Sequence, residues 1–279
     1  MRAYWRMIRP VNCGIAALSV GLGYYCTAGS GEFLPGGALL LLALSAFCIT
    51  GFGNTVNDLM DRDTDAVNRP DRPLPSGAVS VRAAFHLSNL LCLAGLCMAR
   101  AVSARFFLMA LAVAALLWAY NAWLKRTVLA GNLAVSLLTG FTLVYGGGLA
   151  ADWRPALWPA LFAFLLNLAR EIVKDMADVA GDRANGCATL PVLYGSGWAA
   201  NVTAGVLLAV IFLVPRAYQS GLYNLKFLII AQAGVVLPAF VLVLLVYRNR
   251  ERAAGLNRIS LVLKGMMLAG LIAILAGKI

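Results

Sequence analysis

Histidine is almost absent from this 279-residue chain, which has one, His86. That argues against haem ligation and against a histidine-built zinc site. The six cysteines, Cys13, Cys26, Cys48, Cys92, Cys97 and Cys187, show no CxxC spacing, and five of them fall inside apolar segments. They read as small core residues rather than as metal ligands. Charge is scarce as well: 13% of residues are Asp, Glu, Lys or Arg, against about 25% in soluble domains. With 61% hydrophobic residues and a mean hydropathy of +0.81, the composition excludes a soluble globular protein and predicts a polytopic membrane protein.

What is abundant is apolar sequence in long runs. Nine stretches are long enough to span, or nearly so: roughly 12–28, 37–56, 83–101, 105–124, 130–150, 156–172, 199–215, 225–247 and 259–277. They consume nearly the whole chain, leaving no room for a separate soluble domain. Any chemistry therefore belongs to an all-α bundle of nine transmembrane helices, a single domain over 1–279. The basic start and apolar run of the first 29 residues resemble a secretory signal. Every later segment is equally apolar, however, and Arg9-Pro10 reads as a helix start.

A net charge of +11 would suggest nucleic acid in a soluble protein; here its distribution reads as topology. With the N-terminus in the cytoplasm, 17 of the 23 Lys and Arg residues fall on that side, as the positive-inside rule requires. The basic run Arg248 to Arg258 is expected to rest on anionic headgroups. Nothing in the sequence calls for nucleic acid or for an obligate protein partner.

Acidic residues number only 12, and nine of them lie in two short clusters: Asp58, Asp61, Asp63, Asp65 and Asp71, and Glu171, Asp175, Asp178 and Asp182. Asp58/Asp61/Asp65 and Asp175/Asp178/Asp182 share the spacing i, i+3, i+7. On a helix at 100° per residue such positions lie within roughly a 60° arc, so each cluster presents one carboxylate stripe. Asn54 and Glu171, four residues earlier, extend the stripes by a turn. Asp63 lies about 140° away from Asp58 and reads as solvated.

The clusters also look duplicated. Asn68 matches Asn185 at the same offset, and each cluster runs on to a Leu-Pro pair and a glycine (Leu74-Pro75, Gly77; Leu190-Pro191, Gly195). The pseudo-repeat thus covers 54–77 and 170–195, and predicts two carboxylate stripes facing one cavity with each loop folded over its mouth. Six carboxylates near hydrocarbon cost about 2.5 to 3.5 kcal/mol each even on a lenient scale, so a bound cation is implied. Oxygen-only ligands suit Mg²⁺, which typically bridges one or two protein carboxylates to substrate phosphates. The metal in turn implies a phosphorylated ligand. Arg69, Arg72, Lys125, Arg126, Arg170 and Lys174 are candidates for neutralising it, although each could also be a positive-inside anchor. Tyr120 and Asn121 aim Lys125 at the same mouth. Gly51, Gly53 and Gly146 to Gly148 read as close-packing positions. A divalent-cation transporter is the rival reading; against it, both clusters lie at one membrane face with no acidic path to the other.

These residues resemble the UbiA-type intramembrane prenyltransferases, whose motifs NDxxDxxxD and DxxDxxxD are present without gaps at Asn57 to Asp65 and Asp175 to Asp182. Arg9-Pro10, RPDRPLPSG (Arg69 to Gly77), Tyr120 to Lys125, Gly131-Asn132 and TLPVLYG (Thr189 to Gly195) extend the resemblance over essentially the whole chain. It implies nine helices around a central cavity, Mg²⁺ dependence, and transfer of a prenyl group from its diphosphate to a lipid acceptor. The implied metal ligands are Asp58, Asp61, Asp175, Asp178 and Asn54, with Asp65 and Asp182 also in the reacting centre. Asn54, Arg69, Arg72, Tyr120, Lys125, Arg170 and Lys174 are the implied substrate contacts. Within the family, REIVKDMADVAGD and GNLAVSLLTG look most like the branch that geranylgeranylates geranylgeranylglyceryl phosphate to digeranylgeranylglyceryl phosphate in ether-lipid synthesis. Branches acting on aromatic or chlorophyll-type acceptors share the metal motifs. For the acceptor's proton the sequence offers Asp65, Asp182 or the departing diphosphate and does not choose.

Overall fold

The computed structural model describes residues 1–29 and 36–279. Their regular elements are all helices, with one isolated antiparallel bridge, Tyr223 to Lys278, and no strand among the described residues. The elements are α1 (Arg2–Ile8), α2 (Pro10–Thr27), α3 (Gly36–Met60), α4 (Arg62–Asn68), α5 (Val81–Val102), α6 (Ala104–Ala122), α7 (Ala130–Gly147), α8 (Leu157–Ala177), α9 (Val179–Ala184), α10 (Leu190–Gln219), α11 (Leu225–Ala231), α12 (Leu237–Asn249) and α13 (Ala253–Gly277). A π-helical segment, Gln232–Val236, joins α11 to α12.

Local chemistry sets the helix ends. Pro10 opens α2, where its missing N–H costs nothing. Ser80 and Ser103 cap α5 and α6 by accepting from the N–H of Ala83 and Phe106, and Asn224 caps α11 by accepting from Lys226. At Gly195, φ is 84° and ψ 159°, so the nominal start of α10 is a separate turn and the long apolar helix begins after it.

Seven helical segments are long and apolar enough to cross a membrane: Gly36–Met60, Val81–Val102, Ala104–Ala122, Arg154–Ala177, Leu190–Gln219, Leu225–Asn249 and Ala253–Gly277. They match seven of the nine expected spans. The other two correspond to α2 and α7, 18 residues each, whose apolar runs are diluted by Asn12, Ser19 and three glycines in one and by Asn132, Ser136, two threonines and four glycines in the other.

The chain divides into two compact units, residues 1–124 with 142–154, and 125–141 with 155–279. In the first unit α3 is the centre, packed against α1, α2, α5 and α6. The glycines explain one close crossing. A Cβ on Gly146 would overlap the Val20 carbonyl, and one on Gly23 would overlap that of Leu143, so α2 and the end of α7 touch backbone to backbone. Gly53 meets Leu117 and Gly51 meets Ile8 and Leu91, as the packing role expected of them requires. The loop after α4 folds onto the N-terminal helix, burying Leu74 and Val79 with Met7 and Ala84. In the second unit α8 packs against α10 and α13, α10 against α12, and α11 against α13. Gly140 lets α7 lie against the backbone of α8 at Ala160. All six cysteines are free thiols.

Candidate active site

The carboxylate stripes do not lie on unbroken helices. In the first unit α3 ends at Met60 and α4 starts at Arg62, with Asp61 between them at φ −91°, ψ 7°. In the second, α8 ends at Ala177 and α9 starts at Val179, with Asp178 between them at φ −117°, ψ 25°. The middle aspartate thus forms the joint in both clusters. Runs of short polar residues such as DRDTD offer the backbone competing hydrogen bonds and weaken a helix. Yet the i to i−4 ladder passes through each joint. Asp61 N–H donates to Asn57 O at 2.9 Å and Asp65 N–H to Asp61 O at 2.7 Å; Asp178 N–H donates to Lys174 O at 3.1 Å and Asp182 N–H to Asp178 O at 2.9 Å. The helical register on which the one-face argument rests survives the break.

Around the first joint, Asp58 and Asp65 are buried, at 4% and 7% exposure, and each meets a guanidinium. Arg9 Nη2 lies 2.5 Å from Asp58 Oδ1 and 3.3 Å from Asn57 Oδ1. Arg72 Nη1 lies 2.5 Å from Asp65 Oδ2 and 3.6 Å from Asp58 Oδ1. Asn57 donates to Asp61 Oδ2 at 2.8 Å and to Asn121 Oδ1 at 3.0 Å. Asn121 is tied in turn to Leu117 O. The Asn54 amide nitrogen donates to Ile8 O at 2.8 Å, so its carbonyl oxygen is the end able to meet a cation. Asp63 is exposed, as expected, and pairs with Arg62. Asp71 pairs with Arg6 at 3.1 Å on the surface.

Around the second joint the partners differ. Asp175 Oδ2 accepts from the neutral Asn132 Nδ2 at 2.8 Å, and Asp182 Oδ2 from Thr189 Oγ1 at 2.9 Å. Burial raises the Asp182 carboxyl above the usual carboxylate range, the nearby Asp178 charge adds to the rise, and the Thr189 hydroxyl and the Lys174 charge oppose it. Asp178 is exposed. Its carboxylate leans over Gly181, where any Cβ would overlap it. Glu171 holds Arg170 at 2.6 Å and Lys174 at 2.8 Å. Lys125 lies in the turn Leu124–Arg126, and the Arg126 carbonyl accepts from Ala188 N–H at 2.8 Å, next to Thr189.

Of the expected site residues, the structure joins Asp58, Asp65 and Arg72, links Asp61 to Asn57, and groups Arg170, Glu171 and Lys174. Tyr120 is half-buried beside Asn121 on α6, and Arg69 is exposed with no ion pair among the described residues. The side chain of Asn68, matched to Asn185 in the repeat, lies outside the described ones. Residue reasoning did not assign Arg9, Asn57, Asn132 or Thr189 a partner. Arg9 is the informative case: it is the one non-glycine residue at positive φ among those described (57°, ψ 67°). That costly conformation turns the chain between α1 and α2 and carries the guanidinium to Asp58. The Arg-Pro pair was the available signal.

The donor set suits Mg²⁺: carboxylate and amide oxygens, with no thiol or imidazole among them. Among the described residues no three acidic, Cys or His side chains converge into a cage, and Mg²⁺ asks for none, since one or two carboxylates with water and substrate phosphates satisfy it. The guanidinium held by both Asp58 and Asp65 stands as a cationic group shared between two stripe carboxylates.

Residues 16–263 match the model of the UbiA prenyltransferase family. The chain belongs to that family. It is 40% identical to a digeranylgeranylglyceryl phosphate synthase of Methanopyrus kandleri, with 99% of each chain covered. Among solved structures it is similar to one of a digeranylgeranylglyceryl phosphate synthase in membranes, with TM-score 0.84, 26% identity, and 99% and 97% of the two chains covered. It also shares its fold with a UbiA homolog from Archaeoglobus fulgidus bound to DMAPP and Mg²⁺, with TM-score 0.67, 19% identity, and 98% and 99% covered.

Proposed function

We propose that this prenyltransferase moves a geranylgeranyl group from geranylgeranyl diphosphate to the free hydroxyl of geranylgeranylglyceryl phosphate, giving digeranylgeranylglyceryl phosphate, with Mg²⁺ as the required metal. The observation that carries this reading is the pair of acidic joints, Asp61 and Asp178, each set between two flanking aspartates in helical register. Similarity over the full length to a synthase of that product supports the choice of acceptor over an aromatic one. The solved neighbour that binds DMAPP and Mg²⁺ supports the metal.

Asp58, Asp61, Asp175 and Asp178 would hold Mg²⁺, with Asn54 contributing its carbonyl oxygen. When bound, the metal supplies Lewis-acid stabilisation of the charge that the diphosphate gains on leaving. Arg9 and Arg72 carry guanidinium forks suited to phosphate oxygens, and add fixed positive charge where the leaving group develops its negative charge. As the allylic carbon–oxygen bond breaks, its electron pair leaves with the diphosphate. The acceptor oxygen bonds to that carbon and releases its proton, for which Asp65 and Asp182 are the carboxylate candidates. Apolar helix walls exclude water, whose attack would hydrolyse the donor. Nine spans with the acidic joints at the cytoplasmic face belong to the same reading, supported by 17 of 23 basic residues on that side. We also take the chain as one prenyltransferase domain with a duplicated motif.

The test is incubation of the purified protein with Mg²⁺, geranylgeranyl diphosphate and a panel of glycerolipid and aromatic acceptors, with products identified by mass spectrometry. Formation of the diether phosphate supports the reading. Product only on an aromatic acceptor, or Mg²⁺ flux in proteoliposomes without consumption of donor, rejects it.

A further inference from the structure

The second unit carries a basic pair that no ion pair ties to the aspartates of the metal stripe. On α8, Arg170 Nη1 lies 2.6 Å from Glu171 Oε1 and Lys174 Nζ 2.8 Å from Glu171 Oε2. Two cations on one anion leave the trio with net charge +1. The Arg170 side chain is 19% exposed, and its Nε is buried with no hydrogen-bond partner. An unpaired buried donor on a charged group is costly, and a guanidinium serving only a carboxylate would close a two-pronged fork on it. Here one prong reaches Glu171 and the Nε is left without a partner.

The contrast with the first unit sharpens the point. There, Arg9 and Arg72 end on Asp58 and Asp65. In the second unit Asp175 takes a neutral amide from Asn132, and among the described residues Arg170 and Lys174 pair with Glu171 rather than with an aspartate of the stripe. Glu171 orients them for something else. At 100° per residue, Asn167, Glu171, Lys174 and Asp178 lie within roughly a 60° arc of α8. Along the axis, Arg170 stands about 12 Å from Asp178, at 1.5 Å per residue. Polarity on this face ends at Asn167, which is buried and donates to Ser136 Oγ at 3.3 Å; Phe164, Ala163 and Ala160 continue the face beyond it. The basic pair thus stands between the acidic joint and the apolar interior, with Lys174 47% exposed. An amphiphile with one anionic headgroup and apolar chains fits that gradient.

We propose that Arg170 and Lys174, oriented by Glu171, form a phosphomonoester subsite that recognises the phosphate of the acceptor lipid rather than the diphosphate of the prenyl donor. The inference rests on the function proposed above and names how its acceptor is selected. A phosphomonoester is close to a dianion at neutral pH. It would take up the net positive charge and engage the remaining guanidinium donors in charge-assisted hydrogen bonds.

The experiment is steady-state kinetics on the full-length protein with saturating Mg²⁺ and donor, comparing geranylgeranylglyceryl phosphate with the same ether alcohol lacking phosphate. Wild type should favour the phosphorylated acceptor. R170Q should raise the KM for that acceptor by about 10- to 100-fold, the scale of a lost charged hydrogen bond, while the KM for geranylgeranyl diphosphate stays within about 2-fold. The specificity ratio between the two acceptors should collapse in R170Q and be partly restored in R170K. K174Q, at an exposed position, should show the same pattern more weakly and keeps the test valid if R170Q fails to fold. A shift confined to the donor's KM, or equal use of both acceptors by wild type, overturns the subsite alone. A wild type that transfers to no phosphorylated acceptor removes both the subsite and the function on which it rests.

Discussion

Arg72 stands between two acids of one stripe, its Nη1 2.5 Å from Asp65 Oδ2 and 3.6 Å from Asp58 Oδ1. With Arg9 on the other side of Asp58, two buried carboxylates are neutralised by the chain's own cations. Without them Asp58 and Asp65 would be buried charges with no counter-charge, which is strongly unfavourable.

Replacing Arg72 should therefore weaken the metal-free protein and make it lean on metal. Breaking a fully buried pair costs about 3–5 kcal/mol; with Arg72 20% exposed, roughly 1–3 kcal/mol is expected for R72Q. Thermal unfolding in detergent should show a lower Tm than wild type in EDTA, and a larger rise on adding Mg²⁺. An equal Mg²⁺ response in both proteins would contradict the shared-charge account.

Asp58→Asn and Asp175→Asn should each lower transfer by at least ~100-fold, the scale of losing one preorganised electrostatic contact. Both proteins should elute as folded, monodisperse species on size exclusion. Near-normal turnover in either would remove that residue from the metal site. Chelation by EDTA should silence wild type, with Mg²⁺ restoring it.

Asn132→Ala removes the amide that orients the Asp175 carboxylate. Partners of this kind typically alter metal affinity by about 10- to 100-fold, so the Mg²⁺ concentration for half-maximal rate should rise accordingly, with the rate at saturating Mg²⁺ much less affected. A titration of rate against Mg²⁺ in wild type and variant measures it.

Gly146→Leu should destabilise through packing rather than chemistry. Even the Cβ would overlap the Val20 carbonyl, and overpacking of this kind costs about 1–3 kcal/mol or more. The Tm should fall with and without Mg²⁺ alike, unlike the metal-sensitive loss in R72Q.

The spacing of the two aspartate clusters and most spans were legible in the sequence, since spacing survives folding. Seven expected spans coincide with long apolar helices. The break at the middle aspartate was not legible, since a period of 3.6 is the same whether or not the helix bends. Nor was Arg9, whose reach to Asp58 depends on one residue adopting a left-handed backbone; periodicity carries no information about such a position. Asn132 and Thr189 are ordinary polar residues until tertiary structure sets them against Asp175 and Asp182. Gly23 shows the same limit in packing: its contact with Leu143 pairs residues 120 positions apart.

Because hydrogen bonding continues through both joints, the seven-position intervals from Asp58 to Asp65 and from Asp175 to Asp182 act as rulers rather than hinges. Adding or deleting a single residue inside either one would turn its last aspartate by about 100°, carrying Asp65 away from Arg72 or Asp182 away from Thr189. The stretch after Arg72, residues 73–80, faces no such angular constraint on length. Insertions and deletions should therefore be tolerated only outside the two rulers, and the interval between acids is as much a part of the chemistry as the acids themselves.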